Sequence, residues 1–285
     1  MPTYSNRNRM NETRRNKHWL WLMMFIGVAL FLPCVAEGQP YLPPAPPTSP
    51  ADYGKVILDS RALVPGSPGP VVFQHWLHRS RFTCRVCHVD IGFAMEAKTT
   101  GIRAETNRQG FHCGACHDGK KLFDGKPIFA ACTQTTANSE CDRCHSVGKR
   151  GVTKYEYSSF TAKLPKAAYG IDWQQAEARG LIKLADYVEG VSSHQREMKS
   201  RADFTITAGL PWVYPVTFSH QKHAVWNGCE LCHPDIFATA SRTTVRYTMF
   251  SNIEGKHCGA CHLKVAFPLN NCQYCHPRAP SWAQQ

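Results

Sequence analysis

Residues 71–88 read VVFQHWLHRSRFTCRVCH, and residues 216–233 read VTFSHQKHAVWNGCELCH. Each begins with a strand-like apolar run, passes through His-x-x-His, and ends five residues later on Cys-x-x-Cys-His. The closing pentapeptide occurs six times: CRVCH from Cys84, CGACH from Cys113, CDRCH from Cys141, CELCH from Cys229, CGACH from Cys258 and CQYCH from Cys272. This is the attachment signature of c-type haem. Two thiols add across the two vinyl groups of one haem, and the adjacent histidine turns to the iron as proximal ligand. Zinc knuckles pair Cys-x-x-Cys motifs into tetrahedral sites but need no histidine after every second cysteine. Fourteen cysteines in an exported chain otherwise suggest disulfides, and the strict spacing argues against them.

The six motifs form two sets of three. Adding 145 to a position carries His75 to His220, His78 to His223, Cys84 to Cys229, His112 to His257 and Cys113 to Cys258, the mark of an internal duplication. The heptapeptides FHCGACH, 111–117, and KHCGACH, 256–262, are one instance of it. The copies differ between the second and third motifs, where the first has 23 residues and the second nine. This insertion, within KLFDGKPIFAACTQTTANSE, contains Cys132, read as a small apolar residue rather than a reactive thiol.

The chain has 14 histidines. His18 lies in the N-terminal segment, and His88, His117, His145, His233, His262 and His276 are the proximal ligands of the motifs. Of the remaining seven, His75, His78, His112, His220, His223 and His257 occupy matching places in the two copies. His194 has no counterpart and receives no role. Six proximal and six distal candidates imply six covalently bound haem c groups, each with histidine on both sides.

These motifs resemble the class III multihaem cytochromes c in their three-haem cytochrome c7 form. The resemblance covers residues 71–145 and 216–276. It implies that a short strand leads into a helix bearing His-x-x-His, whose two histidines serve different haems. Positions i and i+3 on a helix project in neighbouring directions, as that requires. The resemblance further implies the pairs His75 with His88, His78 with His117 and His112 with His145. In the second copy it implies His220 with His233, His223 with His262 and His257 with His276. The family often places the third distal ligand several residues before the cysteine or uses methionine, so Met249 competes with His257; Ala104 at the equivalent place in the first copy favours histidine.

The expected fold class is mostly irregular and helical with few short strands, in two haem-packed, c7-like lobes. Haems must supply much of the buried surface in units this small. The expected organisation is a signal peptide at 1–36, a Pro-rich linker and lead-in at 37–70, the first three-haem unit at 71–145, a mixed segment at 146–215, the second unit at 216–276 and a tail at 277–285. Within the mixed segment, Asp172 and Gln175 form a capping-box pattern for a short helix that sets Trp173, Ala176 and Gly180 along one side. Phe204 and Ile206 alternate as in a strand.

Residues 7–18 are basic, and the apolar run Trp19–Leu32 is too short to span a membrane, as in a secretory signal cleaved after Ala36. Arg14-Arg15 lacks the apolar residue of a twin-arginine signal, and Pro33 disfavours Cys34 as a lipidated cysteine. An uncleaved anchor on the Pro-rich spacer is the alternative. The periplasm is the expected location, with inner-membrane tethering or the outer surface as alternatives. Lys and Arg total 33 against 21 Asp and Glu. Loss of the signal and the haem propionates offset much of this excess, so nucleic acid is not an expected partner. Lys120, Lys121, Lys222 and Lys264 are expected to steer an acidic redox partner.

With imidazole on both sides of each iron, the expected function is electron transfer at low potential between redox partners, not catalysis. The alternatives are a multihaem reductase with one labile axial site, and a haem subunit of a membrane or outer-surface electron conduit; the expected partners are redox proteins, donor and acceptor, with a membrane quinol oxidase or an outer-membrane conduit as candidates.

Overall fold

Two short β-ribbons, each running into a helix that bears His-x-x-His, organise the structure. The computed structural model describes residues 49–59, 68–132, 138–147, 156–193, 202–207, 213–237 and 247–277, all within one compact unit, Pro46–Gln285. The expected signal segment, Cys34, most of the Pro-rich linker, His194 and the tail beyond Pro277 lie outside the described residues.

Strand β1 (Lys55–Leu58) pairs antiparallel with β2 (Val71–Gln74), setting Val56 opposite Phe73, and α1 (His75–Arg79) follows β2 without a loop. In the second copy β7 (Phe204–Ile206) pairs with β8 (Val216–Phe218), then α6 (His220–Asn227) begins. Strands of β-branched and aromatic residues suit this half-buried pairing. Phe204 and Phe218 face each other across the ladder with ring centroids 5.3 Å apart, a stabilising cross-strand pair. The Ser219 hydroxyl caps α6 by accepting from the Lys222 N–H at 3.3 Å.

The rest of the first copy is a π-turn at Val86–Asp90, α2 (Ala104–Arg108), a 3₁₀ turn at His112–Ala115, the hairpin β3 (Leu122–Phe123) with β4 (Lys126–Pro127), and α3 (Asn138–Cys141). The second copy continues with α7 (Met249–Ile253), α8 (Gly259–His262) and α9 (Cys272–Cys275). The hairpin shows how the insertion is accommodated. Phe129 follows His117 by 12 residues and precedes Cys141 by 12; Phe267 follows His262 by five and precedes Cys272 by five. The extra residues therefore divide equally about one phenylalanine, which keeps its place.

Between the copies lie α4 (Tyr157–Thr161), the hairpin β5 (Lys166–Ala167) with β6 (Gly170–Ile171), and α5 (Trp173–Ala178). Asp172 caps α5 as expected, its carboxylate accepting from the Gln175 N–H at 2.9 Å. Gly180, read as part of the helix face, lies past its end with φ +67, the left-handed conformation that terminates a helix at glycine. Leu164, Ile171 and Ala176 form a small apolar cluster with Tyr157, Phe160, Trp173 and Ile182 packed on it.

A buried polar clamp fastens this middle segment to the first motif. Arg85, 3% exposed, donates to Asp90 at 2.6 Å and to the Asp186 carbonyl at 2.6 Å, while the Thr83 hydroxyl donates to the Asp186 carboxylate at 2.7 Å. Among the described residues every sheet has two strands and no helix exceeds eight residues. The fold is low in regular structure, as the sequence leads one to expect.

Candidate functional site

The described residues line a continuous, partly open cavity of about 2340 Å³ whose wall is mainly apolar. Pockets for a single small ligand span roughly 300–1,000 Å³, so this volume suits several large flat groups. At least one cysteine from every motif lines it: Cys84 and Cys87, Cys113 and Cys116, Cys144, Cys232, Cys258 and Cys261, and Cys275.

Ten of the twelve candidate histidines are held by the same device, a backbone carbonyl at Nδ1. His75 meets the Gly54 carbonyl and His220 that of Ala202. His78 and His223 bond to their own helix-start carbonyls, Gln74 and Ser219. His88 and His233 meet Phe93 and Phe237, His117 and His262 meet Phe129 and Phe267, and His145 and His276 meet Gly69 and Tyr214. A carbonyl only accepts, so Nδ1 carries the proton and Nε2 is left as a bare donor atom, the usual way a protein orients a ligating imidazole.

Three of the expected pairs face each other. His75 and His88 have centroids 6.5 Å apart and planes 3° from parallel. His78 and His117 stand 6.3 Å apart at 60°, and their duplicates His223 and His262 repeat this at 6.4 Å and 61°. Nitrogen–metal distances of about 2 Å on both sides, with about 1 Å more from each nitrogen to its ring centre, give roughly 6 Å. The spacing fits one iron between each pair.

The other pairs are not joined in this way: among the described residues no ring contact links His220 with His233, His112 with His145, or His257 with His276. His112 packs on Phe93 at 5.7 Å, and its Nδ1 lies 3.4 Å from the Thr106 hydroxyl. His257 sits between Phe237 at 5.9 Å and Tyr247 at 5.0 Å, and its buried Nδ1 has no hydrogen-bond partner. Both take a left-handed backbone, φ +49 and +48, as single residues directly before a cysteine. The rival Met249 is half exposed on α7.

Burial lowers the pKa of His75, His78 and His262 to about 4, outweighing the carbonyl bonds that raise it, and burial likewise lowers His88, His117 and His223. These rings are neutral, the state in which imidazole binds iron. Burial also pushes the Cys87, Cys113 and Cys261 thiols up to about 12, and those of Cys232 and Cys275 to about 11. Smaller contributions come from thiols of neighbouring motifs: Cys144 acts on Cys113, Cys116 on Cys87, Cys84 on both Cys232 and Cys261, and Cys258 on Cys275.

Several site residues lie outside the repeated motifs. Phe73 lies against both His75 and His78, at 4.8 and 4.5 Å, and Phe218 repeats this against His220 and His223 at 5.0 and 4.4 Å. The 145-residue spacing marks this pair, since 73 and 218 differ by it. Strands β1 and β7 carry no such mark. The repeated glycines of CGACH have a steric cause: a Cβ on Gly114 would stand 1.8 Å from the Asn107 carbonyl oxygen, and one on Gly259 would stand 1.8 Å from that of Asn252.

The family described as cytochrome c7 and related cytochrome c matches residues 71–146 and 216–277. No curated protein matches the chain. Among solved structures, the C-terminal hexaheme fragment of GSU1996 is 22% identical over 81% of this chain and 98% of that one, with a TM-score of 0.24. The N-terminal hexaheme fragment of GSU1996 is 22% identical over 79% and 99%, also with a TM-score of 0.24. The dodecaheme cytochrome c GSU1996 is 21% identical over 80% and 75%, again at 0.24.

Proposed function

Because the chain belongs, through residues 71–146 and 216–277, to the cytochrome c7 and related cytochrome c family, we propose that it is a six-haem, bis-histidine electron carrier of the cell envelope. As a multihaem cytochrome c it transfers electrons. Covalently held haem supplies reversible one-electron exchange at its iron.

The residues supply attachment, orientation and environment. Cys84, Cys87, Cys113, Cys116, Cys141, Cys144, Cys229, Cys232, Cys258, Cys261, Cys272 and Cys275 provide the thioether bonds, and the histidine after each second cysteine provides the proximal nitrogen. His75, His78, His112, His220, His223 and His257 provide the distal ones. The observation that carries the reading is the duplicated pair His78–His117 and His223–His262, each with Nδ1 on a carbonyl and rings 6.3 and 6.4 Å apart. Two imidazoles leave no axial position for a substrate, which favours a carrier over a reductase. They also lack the upward pull of a methionine ligand, so low potentials follow.

Cysteines of all six motifs line one cavity, which supports a single conducting chain of haems. Lys120, Lys222 and Lys264 are exposed and suit an acidic partner, while the Lys121 ammonium donates to the Glu189 carbonyl at 3.3 Å. Mass spectrometry of the exported protein is expected to give six haems per chain. A count of five or fewer would contradict the assignment.

A further inference from the structure

The two duplicated units meet along α1. The Tyr53 hydroxyl donates to the His262 carbonyl at 2.9 Å. Gly54, whose carbonyl holds His75, comes so near the second unit that a Cβ there would stand 3.3 Å from the Lys264 carbonyl oxygen. Between these contacts lies Arg79. It follows His75 by four residues, so the two share a helix face, and it lines the cavity. Its guanidinium donates to the Val265 carbonyl and stands 5.0 Å over the Trp173 ring.

Among the described residues Arg79 has no carboxylate partner. The groups that act on it electrostatically are the Cys84 thiol and the Tyr53 and Tyr157 hydroxyls, all neutral near pH 7. Burial lowers its pKa, yet a guanidinium keeps its proton in proteins. Arg79 is half-buried on the cavity wall, and haem filling that cavity would withdraw the cation from water; without a counter-charge that is unfavourable, so an anion belongs beside it. The duplicate of position 79 is Ala224. The cation is therefore peculiar to the first unit and to this seam.

We propose that Arg79 is a positioning residue that holds a carboxylate of a haem packed at this seam, and raises that haem's reduction potential. The inference rests on the six-haem reading. A fixed positive charge favours the reduced form of the neighbouring haem because reduction adds a negative charge. At the seam this places a stabilised electron site where the first unit meets the fifth motif and the residues that follow it.

The test is a stepwise redox titration of the full exported protein, followed by visible and paramagnetic resonance spectra, with haem counted by mass. Arg79→Gln is expected to lower one midpoint by about 59 mV, a tenfold change in that haem's reduced-to-oxidised ratio, with the others moving far less. Arg79→Lys, which keeps the charge, is expected to retain the wild-type midpoint within about threefold in that ratio. A six-haem Gln variant with unchanged midpoints, or with all midpoints lowered together, would overturn the proposal. If the Gln variant takes up fewer haems, the Lys variant decides: a lowered midpoint there overturns it equally. Fewer than six haems in the unaltered protein would instead remove the reading beneath it.

Discussion

Replacing all twelve motif cysteines by alanine is expected to leave a chain with the far-ultraviolet circular dichroism of a disordered polypeptide and no cooperative thermal transition. The reason is the smallness of the apolar interior. Only Trp76, Val86, Leu164, Ile171, Ala176 and Leu231 are buried hydrophobics among the described residues, and three of these belong to the middle segment. Two-stranded ribbons are marginal on their own in water, and isolated helices shorter than about 12 residues do not persist. The cavity of about 2340 Å³ separates elements that would otherwise have to collapse on one another. Burying its wall against covalently held haem, at about 25 cal/mol per Å², is the main apolar term left to offset chain entropy. A multiple variant that melts cooperatively with a native-like spectrum would show that the polypeptide holds its own fold.

Gly114→Ala and Gly259→Ala are each expected to destabilise the haem-loaded protein by about 3 kcal/mol, a shift of roughly 10 °C in Tm. The added methyl would lie 1.8 Å from a backbone carbonyl oxygen, Asn107 in one unit and Asn252 in the other. Neither oxygen is at the end of a flexible side chain. Each also closes the turn that ends its helix, accepting from Gly110 N at 3.1 Å and Gly255 N at 3.0 Å. Relief therefore requires moving α2 or α7 away from the second or fifth attachment site. Gln273→Ala at the same place in the sixth motif is the control. Gln273 is exposed and its loss is expected to cost under about 0.5 kcal/mol. Equal melting temperatures for the glycine variants and this control would contradict the steric account.

This clash accounts for the twice-written CGACH, and it shows what the sequence discloses and what it withholds. The attachment chemistry was legible because thiol and imidazole are side-chain properties at fixed spacing. The duplication was legible because 145 residues separate each motif of the first two pairs. The strand-to-helix step at Gln74, the cap at Asp172 and the strand at Phe204–Ile206 followed from alternation and capping rules.

The outer support of the histidines was not legible. It consists of carbonyls at Gly54, Gly69, Phe93 and Phe129 and their counterparts, and every residue type has a carbonyl. Strand β1 was hidden for a related reason. Its partner in the other copy lies 148 positions on, as Val56 opposite Phe73 corresponds to Phe204 opposite Phe218, so the loops changed length while the ribbon stayed. The insertion read as one loop is divided about Phe129, because the carbonyl there must still reach His117. The seam at Arg79 joins residues 186 positions apart, with no periodicity to announce it.

The central claim is that every iron has two imidazoles and none is open. Low-temperature electron paramagnetic resonance of the oxidised, exported protein, calibrated against its haem content, tests it most directly. The expected result is six low-spin ferric centres per chain, with no change in the reduced spectrum under carbon monoxide. A high-spin signal from even one centre, or prompt carbon monoxide binding on reduction, would contradict it.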